Sequence, residues 1–159
     1  MLESVGTVPR FDPEDANALD RAANIVLVKN TTNVPVPWLG ALGVATPAIG
    51  PSTGSLIGTS AADKQAREFV ARMVFNGIMP SGGSQAVAVA MEPIAAGKIG
   101  RMAIGGLFAC KVKVLAESHQ YARGRANDVT QLISAECGPV RLVWSEGVVG
   151  DNKFGAAMI

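Results

Sequence analysis

Histidine and tyrosine occur once each and cysteine twice in 159 residues, aromatic residues make up 5% of the chain, and charged residues 17%. Each shortage excludes something. Neither Cys110 nor Cys137 has a CxxC partner or a neighbouring histidine, so zinc-ribbon and dithiol redox motifs are absent. With 48% hydrophobic residues and a net charge of +1, the chain lacks the low hydrophobicity and high charge of a disordered protein. It has no unbroken apolar run of about 18 residues, so no transmembrane helix is expected. The first 20 residues are acidic and contain no apolar stretch, so no secretory signal is expected and the default is a soluble protein made in the cytosol. A net charge so near zero gives no global field to select nucleic acid or an anionic membrane.

What is present is small and β-prone: 18 glycines, 9 prolines and an apolar content drawn mainly from Ala, Val, Ile and Leu. The charge is unevenly placed. Residues 1–20 hold Glu3, Asp12, Glu14, Asp15 and Asp20 against Arg10, a net of −4, while the rest of the chain carries +5. Residues 1–22 therefore read as an acidic N-terminal arm, suited to lie on another protein or a neighbouring copy, or else solvated. Asp12 and Pro13 could open a short helix within it. Residues 23–159 read as one β domain.

Within that domain, Ile25–Asn30 is a β-rich run. Val34–Trp38 contains two prolines and is an edge or loop, and Leu39–Val44 is a weak strand. Residues 46–62 form a long Gly/Pro/Ser/Thr loop. Glu68–Phe75 is read as a strand, although a helix could claim the stretch from Ala61 onward. Gln85–Met91, Ile99–Ile104, Leu107–Leu115, Gln131–Ala135, Val140–Trp144 and Lys153–Ile159 are further strands, with Gly105-Gly106 as a bulge or bend and 116–130 as a polar excursion. The chain shows no internal repeat of 20–50 residues. Short strands at this spacing predict an all-β fold, a small β-barrel or β-sandwich with an extended N-terminal arm. Apart from the arm, no helix is expected.

Residues able to do chemistry are scattered. His119, in Glu117-Ser118-His119-Gln120-Tyr121, has no Gly-x-Ser-x-Gly elbow to serve, and reads as a loop histidine bonded to backbone. Gly97-Lys98 resembles the end of a phosphate loop, but Glu92 and Ile99 stand where glycine and Ser/Thr are needed. No catalytic, cofactor-binding or metal-ligating residue is expected, and the chain is read as no enzyme. Lys111 and Lys113 share a strand face and Arg123 and Arg125 tip a loop. The first reading of this set is a solvated face, and the second a protein interface of complementary charge. Nucleic acid comes last, because aromatic stacking partners are scarce. Trp144 alternates with Leu142 and reads as core, whereas Trp38 reads equally as core or interface anchor. Cys110 and Cys137 read first as two buried free thiols, and as a bridge only where the two strands bring their Cα atoms within about 7 Å.

The stretch Val87–Val112, with Met91-Glu92-Pro93-Ile94, Ala96-Gly97-Lys98 and Gly100-Arg101, resembles a pattern in small structural proteins of tailed bacteriophages and prophages. Ser134–Trp144 resembles its closing segment and Ile25–Thr32 its opening strand. The resemblance implies a virion protein, and first a head decoration (cement) protein on the outer surface of the capsid. Its implied partners are the major capsid protein and neighbouring copies of itself, with no small-molecule substrate, no cofactor and no membrane. The alternative it implies is a tail, baseplate or fibre component. Candidate partner-interface residues are Arg10, Phe11, Asp12, Glu14, Asp15, Trp38, Lys111, Lys113, Arg123 and Arg125.

Overall fold

A computed structural model of the chain describes residues 23–48, 57–71 and 73–159. The chain is mostly β. Among the described residues nine strands run β1 (Ala23–Asn30), β2 (Ala41–Pro47), β3 (Val74–Ile78), β4 (Val87–Ala90), β5 (Ile99–Val114), β6 (Tyr121–Gly124), β7 (Leu132–Ala135), β8 (Val140–Ser145) and β9 (Gly150–Met158), with one helix, α1 (Ala61–Ala71), between β2 and β3. The all-β expectation holds for the described body; the N-terminal arm lies outside the described residues.

The pairings form two closed circuits that share β5. The first runs β1-β3-β2-β4-β5 and back to β1, and the second β5-β7-β6-β8-β9 and back to β5. Each circuit has one parallel pair, β1 with β3 and β5 with β7, and the remaining pairs are antiparallel. Taken in chain order, the second circuit repeats the connectivity of the first strand for strand. The repetition lies in topology, which is why no repeat is visible in the residues.

β5 changes circuit at Gly105-Gly106. Its first half pairs with β1 from Ile99 to Gly106, and its second half pairs with β9 from Leu107 to Val114. The β1 register slips beside Asn24, and Gly106 has φ +73°, so the glycine pair expected as a bulge sits inside one 16-residue strand instead of dividing two.

Two apolar clusters follow from this layout. Val28, Leu42, Ala88, Ala90, Ile94 and Met102 fill the first circuit. Phe108, Cys110, Val112, Leu132, Val140, Leu142 and Ala157 fill the second, and Val87, Val89, Ala103 and Ala23 from the first circuit join them. β4 is therefore buried on both faces, alanines inward to its own circuit and valines outward against the next. The circuits also interlock at a turn. Leu39, at φ +63°, donates its N–H to Ala90 O (2.8 Å), and Ala41 N–H donates to Val129 O (2.9 Å). A Cβ on the intervening Gly40 would fall on that Val129 oxygen, so glycine is required by the close approach.

The structure corrects three expectations about the elements. Residues 61–71 are helical, so the strand expected over Glu68–Phe75 begins only at Val74 and the helical alternative holds from Ala61 to Ala71. Ser60 Oγ accepts the Asp63 N–H (3.1 Å) while Asp63 Oδ2 accepts the Ser60 N–H (3.0 Å), a reciprocal cap that starts the helix out of a Ser/Thr/Gly-rich stretch. The polar excursion 116–130 contains a strand, β6, whose Ala122 and Gly124 point inward. Of the two thiols, Cys110 is buried but Cys137 is exposed.

Candidate assembly face

On the second circuit, strict alternation along β5 sends Phe108, Cys110, Val112 and Val114 inward and leaves Leu107, Ala109 and Lys111 outward. The register extends this outward face across three strands. Leu107 stands opposite Met158, which stands opposite Arg141; Ala109 stands opposite Ala156, which stands opposite Trp144; and Lys111 stands opposite Phe154. The result is an open face centred on Leu107, Met158, Phe154, Val143 and Trp144, each between 42% and 58% exposed. These side chains leave on the order of 500 Å² of apolar surface open, at the upper end of the largest patch usual on a monomer.

Trp144 belongs to this face because of a bulge. Its two-residue spacing from Leu142 predicts a shared, inward face, but the register slips between the two so that Val143 is an extra residue. Leu142 is buried and Trp144 points out at 58% exposure, which overturns its reading as core. Trp38 is 63% exposed, so of its two readings the structure removes the core one.

The basic candidates separate. Lys111 lies over the Phe154 ring, 3.6 Å from its centroid, and borders the face with exposed Arg141. Lys113 and Arg125 instead meet Asp151 of β9, each at 3.6 Å, and Arg125 also pairs with Asp128 at 3.1 Å. Gln131 joins them, donating from Nε2 to Asp151 (3.1 Å) and accepting the Asn152 N–H (2.8 Å). Burial raises the Asp128 carboxyl, but hydrogen bonds from Thr130, the Arg125 charge and Gln131 outweigh it and hold the group below its ordinary value. Lys113 and Arg125 thus have acidic partners within their own chain, whereas Lys111 lies against an aromatic ring. Arg123 is exposed elsewhere, beside Cys137, Gly138 and Pro139. Arg10, Phe11, Asp12, Glu14 and Asp15 lie outside the described residues.

The remaining polar groups are internal clamps. His119 Nδ1 lies 3.0 Å from Ser134 Oγ, which also accepts the Leu115 N–H at 2.8 Å. The histidine's partner is therefore a side chain and not the expected backbone group. Ser134 is 2% exposed, so the pair fastens the segment after β5 to β7 and presents no nucleophile to solvent. Glu92 accepts from the Arg101 backbone N–H (3.0 Å) and its Nε (3.3 Å), tying the β4–β5 hairpin. Among the described residues no cluster of His, Cys, Asp and Glu is arranged to hold a metal ion, and no helix is long and apolar enough to cross a membrane.

No family model, curated protein or solved structure matches this chain.

Proposed function

We propose that the chain is a structural protein of a tailed-phage particle, a head decoration protein that binds the outer capsid surface and stabilises the major capsid protein lattice. The supporting observation is the three-stranded apolar face of β5, β9 and β8, rimmed by Lys111 and Arg141. A face of that size and chemistry is an assembly contact, because water contact with so much Leu, Met, Phe and Trp surface is relieved by covering it. The resemblance of 87–112 and 134–144 to phage structural proteins supplies the particle in which such contacts act. The mechanism is then mechanical. Many copies, each holding a modest interface, reinforce a shell through repetition over its lattice.

The test is co-sedimentation of the intact protein with emptied capsid shells and, separately, with purified tails of its source phage. Saturable binding to shells, weakened when Asp12, Glu14 and Asp15 are neutralised to Asn, Gln and Asn, supports the decoration reading. Binding to tails alone replaces it with the tail-component reading.

A further inference from the structure

The topological repeat carries an inference about what covers the open face. In the first circuit, the hairpin β4–β5 and its neighbour β1 have an inner row, Ala90–Met102–Val26, and an outer row, Val89–Ala103–Ile25. In the second circuit, the equivalent strands β8, β9 and β5 have an inner row, Leu142–Ala157–Phe108, and an outer row, Trp144–Ala156–Ala109. The two outer rows occupy the same place in the same connectivity, yet their environments differ. Val89 and Ala103 are 0% exposed because the second circuit lies over them, whereas Trp144 is 58% exposed.

We infer that the open β8–β9–β5 face is the docking site for a second copy of this chain, which covers the second circuit as the second circuit covers the first. The contact joins unlike surfaces, the open face of one copy to a different surface of the next. It is therefore head-to-tail, and it propagates into a ring or a row instead of stopping at a pair. The apolar area is consistent with this. A standard interface takes about 800 Å² from each partner, and an apolar centre on the order of 500 Å² with a polar rim is its normal make-up. A face-to-face pair would set Lys111 and Arg141 of both copies around one centre, so like charges disfavour that alternative. This inference deepens the assembly reading but rests only on self-association, which needs no capsid.

Sedimentation velocity of the full chain across a concentration series tests it, with Trp144→Glu and Met158→Glu as face variants and Trp38→Glu as an exposed variant off the face. All three side chains are substantially exposed, so circular dichroism and melting temperature should match the unsubstituted chain. The expected result is growth beyond a dimer with concentration, reduced about tenfold or more in association constant by either face variant and unchanged by Trp38→Glu. A monomer at every concentration, a series that stops at a dimer, or assembly indifferent to Trp144→Glu would overturn it. Self-association without shell binding would overturn the head reading alone.

Discussion

Asn30 is a single polar side chain on which the first circuit closes, and replacing it by the isosteric aspartate isolates what it does. It is 0% exposed. Its Nδ2 donates to Val34 O (2.8 Å) and Ile94 O (3.2 Å), and its Oδ1 accepts the Thr32 N–H (3.0 Å) and hydroxyl (2.6 Å). Asn30→Asp keeps the shape and the acceptor but removes both donors, leaving two buried carbonyls facing a carboxylate. Both carbonyls keep another donor, the Val36 N–H on Ile94 O (2.8 Å) and the Thr32 hydroxyl on Val34 O (3.0 Å), so the cost lies in two lost hydrogen bonds of about 0.5–1.5 kcal/mol each and an uncompensated buried charge, together about 3–5 kcal/mol at neutral pH. The loss should depend on pH with a definite sign. The buried carboxyl binds its proton more tightly folded than unfolded, so its folded pKa lies above the unfolded value of about 3.9. Between those two values the folded state holds the extra proton, and the variant loses stability as pH rises. Below both, the neutral acid can donate one hydrogen bond, and the deficit should shrink to about 1–3 kcal/mol. Urea unfolding of both proteins from acid to neutral pH gives the difference directly. A neutral-pH difference under about 1 kcal/mol, or one that does not change with pH, would refute the reasoning.

Two further outcomes follow from the cores. A Cβ at Gly77 would come within 2.6 Å of both Leu42 Cδ1 and Val28 Cγ1, so Gly77→Ala should destabilise by about 1–3 kcal/mol through overpacking. Leu42→Ala alone should cost about 2–5 kcal/mol, and the double variant less than the sum, because the new methyl enters the vacated space; strict additivity in denaturant unfolding would count against that packing. Burial pushes the Cys110 thiol up to about 12, whereas Cys137 is exposed. Under native conditions near pH 8, one equivalent of a thiol reagent should react quickly at Cys137, and the second only at the rate of unfolding; two fast equivalents would contradict the burial of Cys110.

The sequence is most legible where local signals and tertiary packing agree. The Val-Ala alternation of β4, the Ala-Gly-Lys turn with Gly97 at φ +75°, and the period-two pattern of β5 all appear where the residues place them. It misleads where one residue changes the count. The bulge at Val143 turns Trp144 outward, and nothing in Val-Arg-Leu-Val-Trp announces it, because a bulge is decided by the partner strand. Helix α1 was obscured by its surroundings. Its Ser60–Asp63 cap sits in a run of loop-forming residues, and only Asp63 and Ala66 of the helix are buried, too few to mark a helical stripe. β6 is short and carries arginine and tyrosine, so its inward Ala122 and Gly124 give no hydrophobic signal. The pairing of Lys113 and Arg125 with Asp151 joins residues far apart in the chain, and the β5–β9 register brings Lys113 and Asp151 together. The open face is illegible for the same reason, since its three strands are contributed by segments that meet only when the second circuit closes.

The sharing of β5 by both circuits has a mechanical consequence. Along its 16 residues this strand is held by β1 and then β9, and also by β4 and then β7. A pull directed along it would load these ladders in shear, many hydrogen bonds at once, whereas a strand at a sheet edge can be peeled away one bond at a time. Nor is there a place to cut. A break at Gly106 would remove a wall from each half, so neither half should survive as an independent fragment, and the two should melt in one step. Any lengthening of such a protein has to enter through the connections between strands, where the chain can grow without interrupting that common beam.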